Sequence, residues 1–192
     1  MAEARQLRLD VIANATVKVA LVALLAVGAF SGLDQFEGKA FGSRLIAYPL
    51  AVMVLPGVWW WHARRRAHGP YPAIADLLIT LPFFIDVAGN AADLYDTIEW
   101  WDDANHLVNW SLLSSGAGLL FARATIPPWA VATMTLGFGG VSAILWEVAE
   151  YYAFIRDSPE LATAYTDTLG DLALGTLGAL VAAVVVAWRR PS

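Results

Sequence analysis

The sequence predicts an all-α protein, a polytopic transmembrane bundle of six helices with both termini in the cytoplasm. Three observations carry that reading. Of the 192 residues, 58% are hydrophobic and only 15% are charged, against roughly a quarter charged in soluble domains. The apolar residues fall in blocks close to the ~20 residues a helix needs to cross hydrocarbon. Strand-like alternation is absent, and a segment in lipid must satisfy its own backbone groups, which leaves helices. The length suits one bundle spanning residues 1–192, without a clear internal repeat or a low-complexity stretch.

The first span covers residues 11–30 and contains Asn14 and Lys18. Val27-Gly28-Ala29 resembles a signal cleavage site, but a lysine inside the apolar run speaks against that reading. Lys18 is expected to snorkel toward the nearer interface. The second span, residues 45–61, contains Pro49 and Pro56, and the third, residues 73–94, contains Pro82. Such prolines read as kinks rather than ends. The fourth, fifth and sixth spans cover residues 103–122, 129–152 and 168–188.

Orientation follows from the basic residues. Arg5, Arg8, Arg64, Arg65, Arg66, Arg123, Arg189 and Arg190 share one side of a six-span path, eight of the twelve Lys and Arg residues. The positive-inside rule places that side, and both termini, in the cytoplasm of a cell membrane. Trp59 to Trp61, Trp129 and Trp188 then form an inner aromatic belt, and Trp100, Trp101 and Trp146 an outer one. The arginine triplet beside His62 and His68 reads as a topology signal facing anionic headgroups. With a net charge of −5, nothing points to nucleic acid. There is no cysteine, so disulfides, thiolate metal sites and cysteine nucleophiles are excluded. No glycine-rich phosphate loop appears.

The acidic residues are placed unevenly. Of seventeen, only Glu3, Asp10 and Asp76 fall on or near the cytoplasmic side. Four groups recur at helical spacing near outer helix ends. Asp86, Asn90 and Asp93 share a face of the third span, and Asp102, His106 and Asn109 a face of the fourth. Glu147 and Glu150 stand three apart in the fifth, beneath Tyr151 and Tyr152. Asp167 and Asp171 stand four apart in the sixth, followed by Gly175 and Gly178. Each group also has a plain reading. His106 could be a hydrogen-bonded helix residue, Asp102, Asp103, Asp167 or Thr168 could cap helices, and the glutamates could mark an interface. The glycines, with Gly116, Gly118, Gly137, Gly139, Gly140 and Gly170, read as close helix–helix contact faces.

A carboxylate facing lipid costs on the order of 2.5–3.5 kcal/mol near the bilayer centre. Four such groups are therefore expected to face one another in one extracytoplasmic pocket. Carboxylates packed together repel, so a proton or a cation must accompany them. His106, with Arg156 or Lys39, could supply positive charge, and so could a bound divalent cation. The ligand set Asp102, His106, Glu147, Glu150, Asp167 and Asp171, imidazole plus carboxylates without thiol, suits zinc, manganese or iron, with calcium or magnesium open if His106 is not a ligand.

The ordered set D-x-x-x-H (Asp102, His106), E-x-x-E (Glu147, Glu150) and D-x-x-x-D-x-x-x-G-x-x-G (Asp167, Asp171, Gly175, Gly178) resembles the YjdF-like bacterial inner-membrane proteins over residues 95–187. It is more distantly similar to VanZ-like proteins. The resemblance implies a multi-pass membrane protein; the VanZ likeness implies a role at the cell surface, in resistance to glycopeptide or lipoglycopeptide antibiotics. It implies no particular reaction.

Three functions remain open at this level. One is an outer-leaflet site, with His106, Asp102, Glu147 and Glu150 as acid, base or ligands, acting on a lipid or lipid-linked envelope molecule. A second is a small cation- or proton-coupled carrier, dimeric for want of a repeat, with Asp86, Asn90, Asp93 and Asn109 as its polar pathway. The third is a non-catalytic membrane scaffold.

Overall fold

The computed structural model describes residues 2–65 and 69–189, with side chains from residue 5 onward. Arg66 and His68 of the basic loop, the Glu3 side chain and Arg190 lie outside the described residues. Every regular element among the described residues is helical. The chain divides into two compact units, Met1–Glu99 and Trp100–Ser192.

Five helices are long and apolar enough to cross a membrane: Arg5–Phe30, Phe41–Ala63, Ala73–Ala91, Pro128–Ile155 and Ala164–Trp188. These make the protein a multi-pass helical membrane protein. The expected fourth span also forms a helix, Trp101–Phe121, of 21 residues. It is not one of the five, because its first turns carry Asp102, Asp103, Asn105, His106 and Asn109.

The first unit contains α1 (Ala2–Phe30), α2 (Phe41–Val52), α3 (Val54–Ala63), α4 (Ala73–Ala91) and the short α5 (Leu94–Thr97). Helices α2 and α3 are one apolar stretch broken at Met53. Pro56 has no N–H to return to Val52, so the ladder restarts with Gly57 N–H donating to the Met53 carbonyl at 2.9 Å. Pro82 leaves α4 unbroken. Gly28 sits inside α1 against the ring of Phe41, where a β-carbon would collide with the aromatic carbons.

Two carboxylates organise this unit. Asp76, near the start of α4, is 1% exposed. It accepts from Asn14 and Lys18 of α1 and from the Tyr71 hydroxyl. Lys18 therefore turns inward rather than snorkelling: a buried anion in α4 offers it more than the interface does. Further along α4, Asp86 accepts from Arg44 at 2.6 Å, Tyr48 at 2.7 Å, and Asn90 and Tyr95 at 3.1 Å. The helix then ends at Ala91, short of the expected residue 94. Asp93 consequently leaves the face shared by Asp86 and Asn90. It takes a left-handed backbone, φ 61°, which aspartate tolerates better than most residues, and pairs with Lys39, whose ammonium also lies 2.8 Å from Asp96.

Removing one partner of a buried ion pair strands the other charge, at about 3–5 kcal/mol, whereas an apolar replacement of both is often neutral. Lys18→Ala should therefore lower the thermal midpoint in detergent by several degrees. Lys18→Met with Asp76→Leu should recover most of the loss. An unchanged midpoint in Lys18→Ala would remove the pair from any account of this unit's stability.

The second unit is a three-helix hairpin stack of α6 (Trp101–Phe121), α7 (Pro128–Glu150) and α8 (Ala164–Trp188). A π-helical turn, Tyr151–Ile155, extends α7, and a 3-10 turn, Pro159–Ala162, leads into α8. The three helices meet in layers spaced four residues apart along α6 and α7. A β-carbon on Gly175 would touch Trp110 at 2.8 Å and Ala143 at 3.3 Å, and one on Gly139 would strike Ala179 at 2.3 Å and Ser114 at 2.4 Å. One on Gly118 would meet Thr135 at 2.7 Å and Val186 at 3.2 Å. Successive layers are thus Trp110/Ala143/Gly175, Ser114/Gly139/Ala179 and Gly118/Thr135/Val186. In this register α6 and α8 run parallel, with α7 antiparallel between them in sequence. Gly137, Gly140 and Gly170, expected in contact faces, have open space at the β-position.

Candidate functional site

One more step of four residues along each helix, past the Trp110/Ala143/Gly175 layer, reaches His106, Glu147 and Asp171. The helix register that packs the glycines therefore also brings these three to one level, at one end of the second unit. All three are buried: His106 is 8%, Glu147 6% and Asp171 4% exposed.

Each helix supplies its members of the cluster from near one end. Asp102 and Asp103 occupy the first turn of α6, where acids suit the positive end of the helix dipole. Asp171 lies two turns into α8, held against α6 by Gly175 and by Gly178, where a β-carbon would strike the Leu107 carbonyl. Glu147 and Glu150 end α7 just before the π-helical turn, a local widening often found at functional sites.

His106 is the hub. Its Nδ1 lies 3.0 Å from Asp171 Oδ1, 3.7 Å from Asp102 Oδ1 and 3.2 Å from the Asp102 carbonyl. Its Nε2 lies 3.3 Å from Glu147 Oε1, and that oxygen is buried without a hydrogen-bond partner. The two form an ion pair when Nε2 is protonated; with Nε2 unprotonated the oxygen has no donor. Two sets of ligand atoms gather within 4.8 Å, one from Asp102, His106 and Asp171, the other from His106, Glu147 and Glu150. This buried Asp/His/Glu group could hold a metal ion. The chemistry fits: a neutral imidazole and carboxylates form a donor set for a divalent cation, and a cation would satisfy the stranded Glu147 oxygen.

The remaining expected site residues fall elsewhere. Asp167 is exposed, one turn before Asp171, and belongs to neither set. Asn109 donates to Asn105 at 3.2 Å, while its own carbonyl oxygen is buried without a partner. Asp86, Asn90 and Asp93 belong to the first unit, engaged with Arg44, Tyr48, Tyr95 and Lys39 as described above. Nor does Arg156 supply the cluster with charge; its guanidinium is exposed and pairs with Asp157 at 2.9 Å. Sequence spacing missed Asn105, which is 6% exposed and donates to the Trp101 carbonyl. Its place beside His106 in the same turn was the available signal.

The fold and the site define a class: a multi-pass helical membrane protein carrying a buried histidine–carboxylate cluster. The chain belongs to the family described as "Predicted membrane protein (DUF2238)", which matches residues 16–192. No curated protein and no solved structure matches it.

Proposed function

We propose that the second unit holds a divalent cation at the outer face of a cell membrane, and that the protein uses this site on a lipid or lipid-linked envelope molecule. The observation that carries this is the Glu147 oxygen. It is an acceptor removed from water, paired only when His106 Nε2, 3.3 Å away, carries a proton. Burying such a group unpaired is costly, and a cation offsets that cost. The ion would polarise a substrate oxygen or activate a bound water. His106, Glu147 and Glu150 would hold it, with Asp102 and Asp171 beside them.

In this reading α6 also crosses, as the fourth of six spans. It packs layer by layer along α7 and α8, two helices apolar enough to cross, and turns its polar first turns toward them rather than to lipid. The termini are then cytoplasmic, in accord with the basic loops. Arg64 and Arg65 support that side as the headgroup side: each guanidinium stacks on an indole, over Trp60 at 3.7 Å and Trp61 at 3.9 Å, an interfacial pairing of cation and aromatic ring. The YjdF-like resemblance is compatible with the family membership. A carrier built on Asp86 draws less support, because that carboxylate is already satisfied by four donors.

The test is elemental analysis of the protein purified in lipid nanodiscs, with lipid extracts of cells expressing wild type or Glu147→Gln compared by mass spectrometry. The wild type should carry a divalent metal that the variant lacks, and one envelope lipid species should change between the two. Absence of metal overturns the site. Metal without any lipid difference overturns the substrate assignment.

A further inference from the structure

The two imidazole nitrogens of His106 face different surroundings, and this difference deepens the reading just given, on which it rests. An N–H at Nδ1 has two acceptors within reach, Asp171 Oδ1 at 3.0 Å and the Asp102 carbonyl at 3.2 Å. The tautomer with its proton on Nδ1 is therefore the satisfied one, which leaves the lone pair on Nε2. That lone pair meets Glu147 Oε1, an acceptor with no donor, at 3.3 Å. In that tautomer two acceptors face each other, and either a second proton on the imidazole or a metal ion between them resolves the contact.

We infer that a single zinc-like ion sits on the glutamate side of His106, bound by His106 Nε2, Glu147 and Glu150, and that Asp171 is a positioning residue on the opposite nitrogen. The spacing agrees with this. An ion about 2.0–2.1 Å from both atoms, the usual zinc–nitrogen and zinc–oxygen lengths, subtends roughly 105–110° across a 3.3 Å gap, the tetrahedral value. A ligating histidine commonly donates its other N–H to a carboxylate, which fixes ring orientation and tautomer; Asp171 stands where that partner belongs. Three protein ligands leave the fourth position open, the arrangement of catalytic rather than structural zinc sites.

Charge then restricts what enters the open position. The dication balances Glu147 and Glu150. Asp171 and Asp102 remain beside it, Asp171 at 4% exposure. A phosphate anion would meet repulsion there, while water or an uncharged oxygen, such as the carbonyl of an ester or amide, would not. The substrate group that reaches the ion is thus a neutral carbonyl, presented by a lipid-like molecule.

The experiment is a metal titration of the full chain in nanodiscs, stripped and reloaded with zinc or cobalt(II). Wild type should bind one ion per chain, and the cobalt form should show the intense visible absorption of tetrahedral coordination. Glu147→Gln and Glu150→Gln should each abolish binding. Asp171→Asn should keep the stoichiometry and the cobalt spectrum while weakening affinity about 10–100-fold, and Asp171→Glu should restore part of it. Neutral imidazole should shift the cobalt spectrum, and inorganic phosphate at the same concentration should not. Two ions per chain, an octahedral spectrum, or Asp171→Asn behaving like Glu147→Gln would overturn this assignment while leaving a metal site in place. A phosphate-induced shift would overturn the neutral-carbonyl assignment. No binding of any ion would overturn the metal site itself.

Discussion

His106→Ala should destabilise the second unit even when no metal is bound. The imidazole is the group that stands between the buried Glu147 and Asp171 carboxylates, 3.3 Å and 3.0 Å away. Deleting it leaves two acids at 6% and 4% exposure facing an empty volume. Stranding a buried charge in this way costs about 3–5 kcal/mol, a large part of the 5–15 kcal/mol that typically separates folded from unfolded states. The measurement is thermal unfolding of the chelator-treated protein in detergent, followed by tryptophan fluorescence. The triple variant His106→Ala, Glu147→Gln, Asp171→Asn should recover much of the loss, because it removes the repulsion along with the cation. If His106→Ala melts with the wild type, the cluster is not the electrostatic unit described above. If the triple variant is no better than the single one, packing rather than charge explains the loss.

Gly178→Ala and Gly139→Ala should be the most damaging alanine substitutions among the glycines of α7 and α8. A β-carbon on Gly178 meets the Leu107 carbonyl at 2.5 Å and the Ser111 amide nitrogen at 3.0 Å. Those are backbone atoms of α6, which no rotamer change can move aside. On Gly139 it meets Ala179 and Ser114 in the middle layer. Overpacking of this kind costs typically 1–3 kcal/mol. The consequence at the site is larger than the stability loss suggests, since pushing α8 off α6 also withdraws Asp171 from His106. Gly178→Ala should therefore weaken metal binding without touching a ligand. Gly137→Ala, Gly140→Ala and Gly170→Ala supply the control. Each has open space at the β-position, and alanine is the better helix former by roughly 0.5–1 kcal/mol. Equal effects from the two sets would mean that these helices are not held together at their glycines.

The acids and histidine of the second unit stand out in the sequence because each lies on a regular helix. Asp102 and His106, Glu147 and Glu150, and Asp167 and Asp171 follow i, i+3 or i, i+4, and a charge in an apolar chain calls attention to itself. What spacing could not decide is which way each face turns. Asp167 and Asp171 share a helical face in sequence, yet one is exposed and the other is 4% exposed; the difference is one turn of height relative to α6. Asp93 shows the opposite failure. Its periodicity with Asp86 and Asn90 was real in the sequence, but α4 stops at Ala91. Lys39 captures the carboxylate from a residue 54 positions away, and no local pattern registers such a partner.

From its sequence alone this chain is an all-helical membrane protein whose acids and His106 collect near helix ends. Hydropathy and periodicity suffice for that, since water and lipid impose them on every residue locally. Tertiary structure decided the rest. Lys18 turns to Asp76 instead of the interface, Asp86 is satisfied by Arg44 and two tyrosines, and the glycine layers set the register that puts Asp171 and Glu147 on opposite nitrogens of His106. These are choices between partners far apart in the chain, made by the close approach of helix backbones.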